Sequence, residues 1–468
     1  MAVAKDTKEA ARTGWIRPLA QGAGPRYLQI ADLIGQAIQS GELNAGDQIP
    51  AQRWLASELG VDLTTVTRAY TEARNRGLIA SFSGRGSYVV DPSDTQERSR
   101  INLTMNIPPQ PADRSMAERV KAGIEEVLTR HPIEVLSTYQ DGASNRSAIQ
   151  AAQAWLRPVL GDLDSQSLSV CAGAQAAIFG ILSSTVRRGD TVLCEPLTYP
   201  GFLQAARQLG LNVVAVDWDA DGVLPDAIER AHHGSGARLI YLNPTLHNPT
   251  TRTMPERRRQ EVATSLRRLN MTLIEDDPYR HLLSDAPLPL ATLTGGERTY
   301  YLASLSKCIW PSLRTAFVLP PRGDDGATMQ EGLRASGMGC SALLLALAEQ
   351  WIRSGTARHL VQEIQREARA RQNLARSLLP QEAYAHPTGL HIWLPLPAHW
   401  NQHLFASALE ESGVTVACAD SFSVAPETDD AIRISVGGAA SQAALGQAMK
   451  RVAALLKENR RRGFRAIV

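Results

Sequence analysis

Cysteine is scarce and unpatterned in this 468-residue chain. The five cysteines, Cys171, Cys194, Cys308, Cys340 and Cys418, contain no C-x-x-C pair. That argues against a disulfide framework or a structural zinc site and for a reducing compartment. No apolar run approaches the roughly 20 residues needed to span a bilayer, so no membrane partner is expected. Residues 1–25 mix Lys, Arg, Asp and Glu without an apolar core. They do not read as a signal peptide, and a flexible leader on a cytoplasmic protein is expected. Charge of one sign is also missing: 49 Lys and Arg face 47 Asp and Glu, for a formal net charge of +2. Any claim of nucleic-acid binding must therefore rest on local pattern. What is present is ordinary for a soluble globular protein, with 21% charged and 44% hydrophobic residues, in a chain long enough for two or three domains.

The first structured block is residues 26–90. Tyr27, Ile30, Leu33, Ile34, Ala37 and Ile38 keep helical spacing, and Gly41 suits a stop. Pro50 opens a second helix with Trp54, Leu55 and Leu59, ending at Gly60. A tight turn leads to a third helix capped by Asp62. Its first turns carry Thr64, Thr65, Thr67 and Arg68, with Val66 and Tyr70 facing inward. Two helices so joined form a helix-turn-helix whose second helix fits a major groove. After Gly77, the runs 78–82 and 87–90 flank Ser83-Gly84-Arg85-Gly86, a hairpin with an arginine at its tip. Arg53, Thr64, Thr65, Arg68 and Arg85 share a role only if this winged helix binds double-stranded DNA.

The block resembles the DNA-binding domain of GntR-type bacterial regulators through Ile49-Pro-Ala-Gln-Arg53, Thr64-Thr-Val-Thr-Arg-Ala-Tyr70, Gly77-Leu-Ile and Gly84-Arg-Gly86. The resemblance implies that Arg53 and the start of the third helix meet DNA and that Arg85 reaches a minor groove. Where the family usually has Ser-Arg, this chain has Asp62-Leu63. That keeps the cap and removes a phosphate or base contact.

Residues 91–105 are polar and charged through Arg100 and read as a short linker. From 106 to 468, helical stretches alternate with short apolar strands at 191–194, 212–216, 239–242, 272–274 and 300–303. This predicts an α/β domain with a mainly parallel sheet and its ligand at the strand carboxyl ends. Three polar stretches fall there: Asn243–Thr250, Glu275–Tyr279 and Ser304–Arg314.

Lys307 follows a buried strand. Desolvation lowers a lysine pKa, and the neutral amine can form a Schiff base with an aldehyde cofactor such as pyridoxal phosphate. A lone S-x-S-K is most often a surface lysine, but the chain also supplies the remaining parts. Asp276 would keep the pyridine nitrogen protonated. Tyr279 and Asn248 would hold the ring oxygen, and Tyr199, between prolines, could stack on the ring. Gly173-Ala174-Gln175 opens a helix toward phosphate, with Ser304, Ser306 and Arg314 beside it.

From 106 onward the chain resembles fold-type I aminotransferases through Gly173-Ala-Gln175, Pro196-x-x-Tyr199, Asn248-Pro-Thr, Asp276-Asp-Pro-Tyr279, Ser304-x-Ser-Lys307, Arg314 and Ile432-Arg433. The resemblance implies that Lys307 carries the cofactor and that Ala174, Gln175, Ser304, Ser306 and Arg314 hold its phosphate. It also implies that Tyr139 serves the neighbouring subunit's site in a homodimer and that Arg433 grips a substrate carboxylate. A smaller α+β part from about 320 to the end would close over the ligand. Thr251 and Thr315-Ala-Phe depart from the family's usual glycine and Leu-Gly-Tyr. The two modules in this order resemble MocR-type regulators. They imply a regulator sensing an amino acid or related amine through pyridoxal phosphate, against two alternatives: a working aminotransferase with a DNA-binding module, and a scaffold that never loads cofactor. The basic tail, Arg460 to Arg465, reads as a solvated helix end.

Overall fold

The computed structural model describes residues 14–20, 24–76, 78–82, 86–90, 101–110, 116–139, 145–161, 168–324, 326–337 and 339–458. Arg85, the basic tail and residues 91–100 of the expected linker lie outside these residues. Two compact units divide the chain between Ser99 and Arg100.

The first unit contains α1 (Arg26–Gln39), β1 (Gln48–Ile49), α2 (Gln52–Leu59), α3 (Leu63–Asn75), β2 (Ile79–Phe82) and β3 (Gly86–Val89). Its antiparallel sheet runs in the order β1-β3-β2. The turn between α2 and α3 needs Gly60, whose φ of 59° is the left-handed angle glycine adopts at little cost. Ile30, Ile34, Leu55, Val66, Tyr70, Ile79 and Val89 form the core, and the Tyr70 hydroxyl donates to the Pro50 carbonyl at 2.6 Å. Over residues 14–20 the expected flexible leader needs correction; residues 1–13 and 21–23 of it lie outside the described residues. Trp15 is only 2% exposed and packs into this core, with Ile16 and Leu19 half-buried beside it. Counting charges along 1–25 overlooked one large indole, whose burial is enough to fix the segment around it.

The second unit is built on a seven-stranded sheet. Its strands are β5 (Ser169–Cys171), β6 (Thr191–Cys194), β7 (Asn212–Ala215), β10 (Leu239–Leu242), β11 (Thr272–Asp276), β12 (Thr299–Ser304) and β13 (Ala316–Leu319). A small hairpin of β8 (Trp218–Asp219) and β9 (Gly222–Val223) falls between β7 and β10 in the chain. The sheet order is β5-β13-β12-β11-β10-β6-β7. Strand β13 is antiparallel to both neighbours, and the other pairings are parallel. Sequence periodicity anticipated the five parallel strands and missed β5 and β13, the antiparallel pair at one end of the sheet.

A second, antiparallel sheet orders β14 (Tyr384–Ala385), β15 (His391–Pro395), β18 (Ala431–Ser435) and β17 (Ala417–Cys418) as β14-β15-β18-β17. Two boundaries differ from expectation. Residues 101–105 are not all linker: β4 (Ile101–Asn102) pairs in parallel with β16 (Val414–Thr415), and Leu103 is buried in the smaller part's core. The smaller part also does not begin near 320. Met329, Leu333, Leu345 and Trp351 pack into the cores around the large sheet, and the change falls within the long helix Thr356–Arg376. Ala368 still belongs to the large core and Ala375 to the small one.

Candidate functional site

Central strands β10, β11 and β12 are parallel neighbours, so their carboxyl ends bring three loops together. At the end of β11, successive side chains point to opposite faces. Glu275 accepts from the Leu290 and Ala291 backbone N–H groups at 2.9 and 2.7 Å, and Asp277 accepts from the Tyr301 hydroxyl at 3.1 Å. Both serve the fold. Asp276, between them, accepts the Tyr241 hydroxyl on Oδ2 at 2.6 Å, while its buried Oδ1 has no partner. Burial raises the Asp276 carboxyl to about 6, the Tyr241 bond opposing.

The Lys307 Nζ donates to the Asn106 carbonyl at 2.7 Å. Burial, then the nearby Arg433 and Arg314 charges, lower its pKa to about 8, with Asp276 opposing. Tyr279 is buried, and its hydroxyl oxygen accepts from Asn106 Nδ2 at 2.9 Å. Arg433 donates through Nη1 to Asn248 Oδ1 at 2.7 Å and through Nη2 to the Thr104 carbonyl. Its guanidinium lies 4.8 Å from the centre of the Phe422 ring, a cation–π contact. Burial pulls this arginine down to about 10.

On the other side, Gly173 caps the helix Ala174–Thr185 with a φ of 94°. A Cβ there would come within 3.0 Å of Arg314 Nη2, and Arg314 donates to the Ala172 carbonyl at 3.3 Å. The first N–H groups of that helix have no acceptors within it. Gln175 Nε2 donates to the Gly201 carbonyl at 2.8 Å, and Ser304 Oγ accepts from the Ser306 N–H at 3.2 Å. A Cβ at Gly201 would collide with both the Tyr199 ring and Gln175 Oε1, so glycine is required there. Tyr199 thus lies beside Gln175. Burial and then the Asp276 charge raise its hydroxyl pKa.

Gln175 Oε1, Asp276 Oδ1 and Ser306 Oγ are all buried without a hydrogen-bond partner. Leaving such an atom unpaired costs about 1–3 kcal/mol. Other buried atoms among the described residues are also unpaired, Asp277 Oδ1 included, but these three lie among the residues around Lys307 and could be met by a polar guest. Tyr139 is not brought to this site within the chain and is 84% exposed. Thr251 has a φ of 64°, a left-handed angle that favours glycine. Thr315 and Ala316 are buried, with Ala316 paired to Cys171 on one side and to Ser304 on the other, so that departure is packed into the sheet directly behind the site.

The second candidate surface is in the first unit. Asp62 caps α3 by accepting the Thr65 N–H at 3.0 Å. It also takes the hydroxyl protons of Thr65, at 2.9 Å, and of Thr64. These bonds, Thr64 first, hold the Asp62 carboxyl down to about 2. The Thr67 hydroxyl donates within the unit as well, to Gln52 Oε1 or the Leu63 carbonyl, each at 2.9 Å. Arg53 and Arg68 are exposed. The unit's ion pairs among the described residues, Arg17–Glu42, Arg76–Asp32 and Arg76–Glu72, leave both out. Leu63, at the tip of α3, is 41% exposed.

Residues 98–452 match the family Aminotransferase class I and II, and residues 26–89 match Bacterial regulatory proteins, gntR family. The vitamin B6 salvage pathway transcriptional repressor PtsJ of Salmonella typhimurium is 30% identical over 407 residues, covering 85% of this chain and 91% of PtsJ. The chain belongs to the MocR-type transcription regulators. Another relative is the uncharacterized HTH-type transcriptional regulator YdeF of Bacillus subtilis, 27% identical over 90% of this chain and 92% of its own. The fold of this MocR-type chain is also similar to that of the kynurenine aminotransferase of Pyrococcus horikoshii. That match has a TM-score of 0.70 at 19% identity, over 79% of this chain and 94% of that one.

Sequence reading passed over Thr104, Asn106, Tyr241, His391 and Phe422, all of which touch the site residues of this MocR-type protein. Thr104 and Asn106 were hidden because they act partly through backbone carbonyls, which any residue has. Tyr241 sits in a strand read only for its hydrophobicity, although a tyrosine in a run of aliphatics signals a buried hydroxyl needing a partner.

Proposed function

We propose that this chain is a DNA-binding transcription regulator that senses an amino acid or related amine through pyridoxal phosphate held at Lys307. The observation that carries the reading lies in one short segment. The Asn106 carbonyl holds the Lys307 amine, and the Thr104 carbonyl holds the Arg433 guanidinium. This segment begins the second unit, directly after the residues that follow the winged helix. A ligand that engages Lys307 and Arg433 therefore competes with the stretch of chain leading from the DNA-binding unit.

Pyridoxal phosphate suits the residues present. Lys307 offers an amine with a lowered pKa, and Asp276 an unpaired carboxylate oxygen for a ring nitrogen. Tyr279 and Asn248 would hold a ring oxygen, and Tyr199 would stack on the ring face. The free N–H groups at Ala174 and Gln175, with Ser304, Ser306 and Arg314, would hold the phosphate. When bound, the cofactor supplies an aldehyde that exchanges amines and a ring that withdraws electrons. The protein's own residues orient the guest, exclude water and keep the Lys307 amine partly unprotonated. Arg433 would receive a carboxylate as a bidentate partner in place of Asn248 Oδ1 and the Thr104 carbonyl. To drive a two-state protein from 1:99 to 99:1, the effector must prefer one state by about 5.5 kcal/mol.

On the DNA side, the hydroxyl protons at the tip of α3 are already spent. Thr64 and Thr65 can still accept from a base or backbone donor through their remaining lone pairs, Leu63 adds an apolar side chain suited to a thymine methyl group, and Arg53, Arg68 and Arg85 meet phosphates or groove edges. Tyr139 makes sense as a contribution to a partner's site, so the working form is a homodimer on paired half-sites. A second reading, in which pyridoxal phosphate is itself the effector, is favoured by the name of the PtsJ relative.

The test loads the protein with pyridoxal phosphate and titrates a panel of amino acids while DNA affinity is read by fluorescence anisotropy. Turnover with 2-oxo acids is measured in parallel. An amino acid that changes DNA affinity without sustained turnover supports the sensor. A change on cofactor addition alone supports the second reading. Sustained turnover with unchanged DNA affinity would replace both with a working aminotransferase.

A further inference from the structure

A carbonyl oxygen can only accept a hydrogen bond, and one carbonyl fixes the direction of a chain of bonds beside Lys307. The His247 carbonyl lies 3.1 Å from His391 Nε2, so Nε2 carries a proton. His391 is fully buried, and burial keeps its ring neutral. Its single proton is then on Nε2, and Nδ1 is an acceptor. Asn106 Nδ2, 3.0 Å from that Nδ1, must be the donor. This settles the orientation of the Asn106 amide, which distance alone leaves open. The second proton of the same amide goes to the Tyr279 hydroxyl oxygen at 2.9 Å. Tyr279 accepts there, and its own proton remains to be given elsewhere. Asn106 is 3% exposed, its carbonyl holds Lys307 and its Oδ1 is buried without a partner.

We propose that Asn106 is a positioning residue that sets the hydrogen-bond polarity of the site, making Tyr279 a donor toward the cofactor's ring oxygen. This inference rests on the cofactor reading above and deepens it. Without Asn106, nothing among the described residues forces the Tyr279 proton in that direction. The charged and titratable groups acting on Tyr279 besides Asn106 are Arg433, Asp276 and Tyr199, and all three remain in the variants below. A donated hydrogen bond to the ring oxygen favours its ionised form. It therefore lowers the pH at which the visible band of the bound cofactor titrates.

The experiment is a double-mutant cycle on the full-length protein loaded with pyridoxal phosphate. The readout is the pH midpoint of the visible band, with bound phosphate assayed as a loading control. Asn106→Ala should raise the midpoint by about half a unit or more, and Tyr279→Phe by about one unit or more. The double variant should match Tyr279→Phe alone, because Asn106 acts through Tyr279. Asn106→Gln, which keeps an amide, should recover part of the shift and gives a second test should the alanine variant fold poorly. An unshifted midpoint in Asn106→Ala, or an equal shift with and without the Tyr279 hydroxyl, would overturn the proposal while leaving the cofactor reading intact. A wild-type protein with no visible band would overturn the cofactor reading and this inference together.

Discussion

The two candidate sites treat their polar groups in opposite ways. At the tip of the third helix of the first unit, hydroxyls are satisfied locally: Thr64 and Thr65 give their protons to Asp62, and Thr67 gives its proton to Gln52 or the Leu63 carbonyl. Around Lys307, by contrast, Gln175, Asp276 and Ser306 each bury an atom with no partner. The difference follows from solvent. An exposed group can always bond water, so a DNA-binding face carries no mark of its missing partner. A buried group has no such substitute, so an unmet bond is visible in the structure, and the cofactor proposed here would meet those around Lys307.

The largest test of this contrast is Lys307→Ala. It should abolish the visible band and any amino-acid effect on DNA affinity while leaving operator binding itself within a fewfold of wild type. Equal loss of DNA binding would show that the two regions are not separable in this way. Next is Trp15→Ala, which removes a buried indole from the first unit. It should destabilise that unit by about 3–5 kcal/mol, seen as an earlier thermal transition, with cofactor loading unchanged.

The pH dependence of loading is a third test. Lys307 is lowered from 10.5 to about 8 by burial. Its reactive neutral form is therefore lost as pH falls below about 8, so the loading rate should drop about tenfold per unit there and level off above. The same shift means that the native state binds fewer protons than the unfolded chain between about 8 and 10.5. Stability of the unloaded protein should rise with pH across that window.

Smaller effects belong to the exposed surface. Arg68→Ala should weaken binding and reduce the slope of log affinity against log salt by about one if its contact is to phosphate. Leu63→Ala should cost least, a few-fold in affinity, on the order of the ~0.8 kcal/mol of one buried methylene. Replacing the contacted thymine with uracil should cost wild type the same and the variant nothing. An unchanged uracil penalty in the variant would assign the thymine contact to another residue.

The sequence made much of this legible, and for physical reasons. Lys307, Asp276, Tyr279 and Asn248 are legible as candidates because each ends or follows a strand with an apolar signature, and such strand ends gather ligands in a parallel sheet. The helix-turn-helix was readable from helical spacing, Gly60 and the Asp62 cap. Trp15 was not, because a single anchor in a charged stretch has no period. The antiparallel β13 was not, because direction is set by the connection rather than by composition. Thr104 and Asn106 were read as linker and domain start. Their importance comes from carbonyls and one amide placed by a distant pairing, Ile101 with Val414.

Everything proposed for the second unit depends on pyridoxal phosphate binding at Lys307, among the unpaired buried groups around it. The most direct measurement is borohydride reduction of the full-length protein after incubation with pyridoxal phosphate, followed by peptide mapping. The predicted result is one phosphopyridoxyl label per chain, on Lys307, absent from the Lys307→Ala variant. A label on another lysine, or none at saturating cofactor, would contradict the claim.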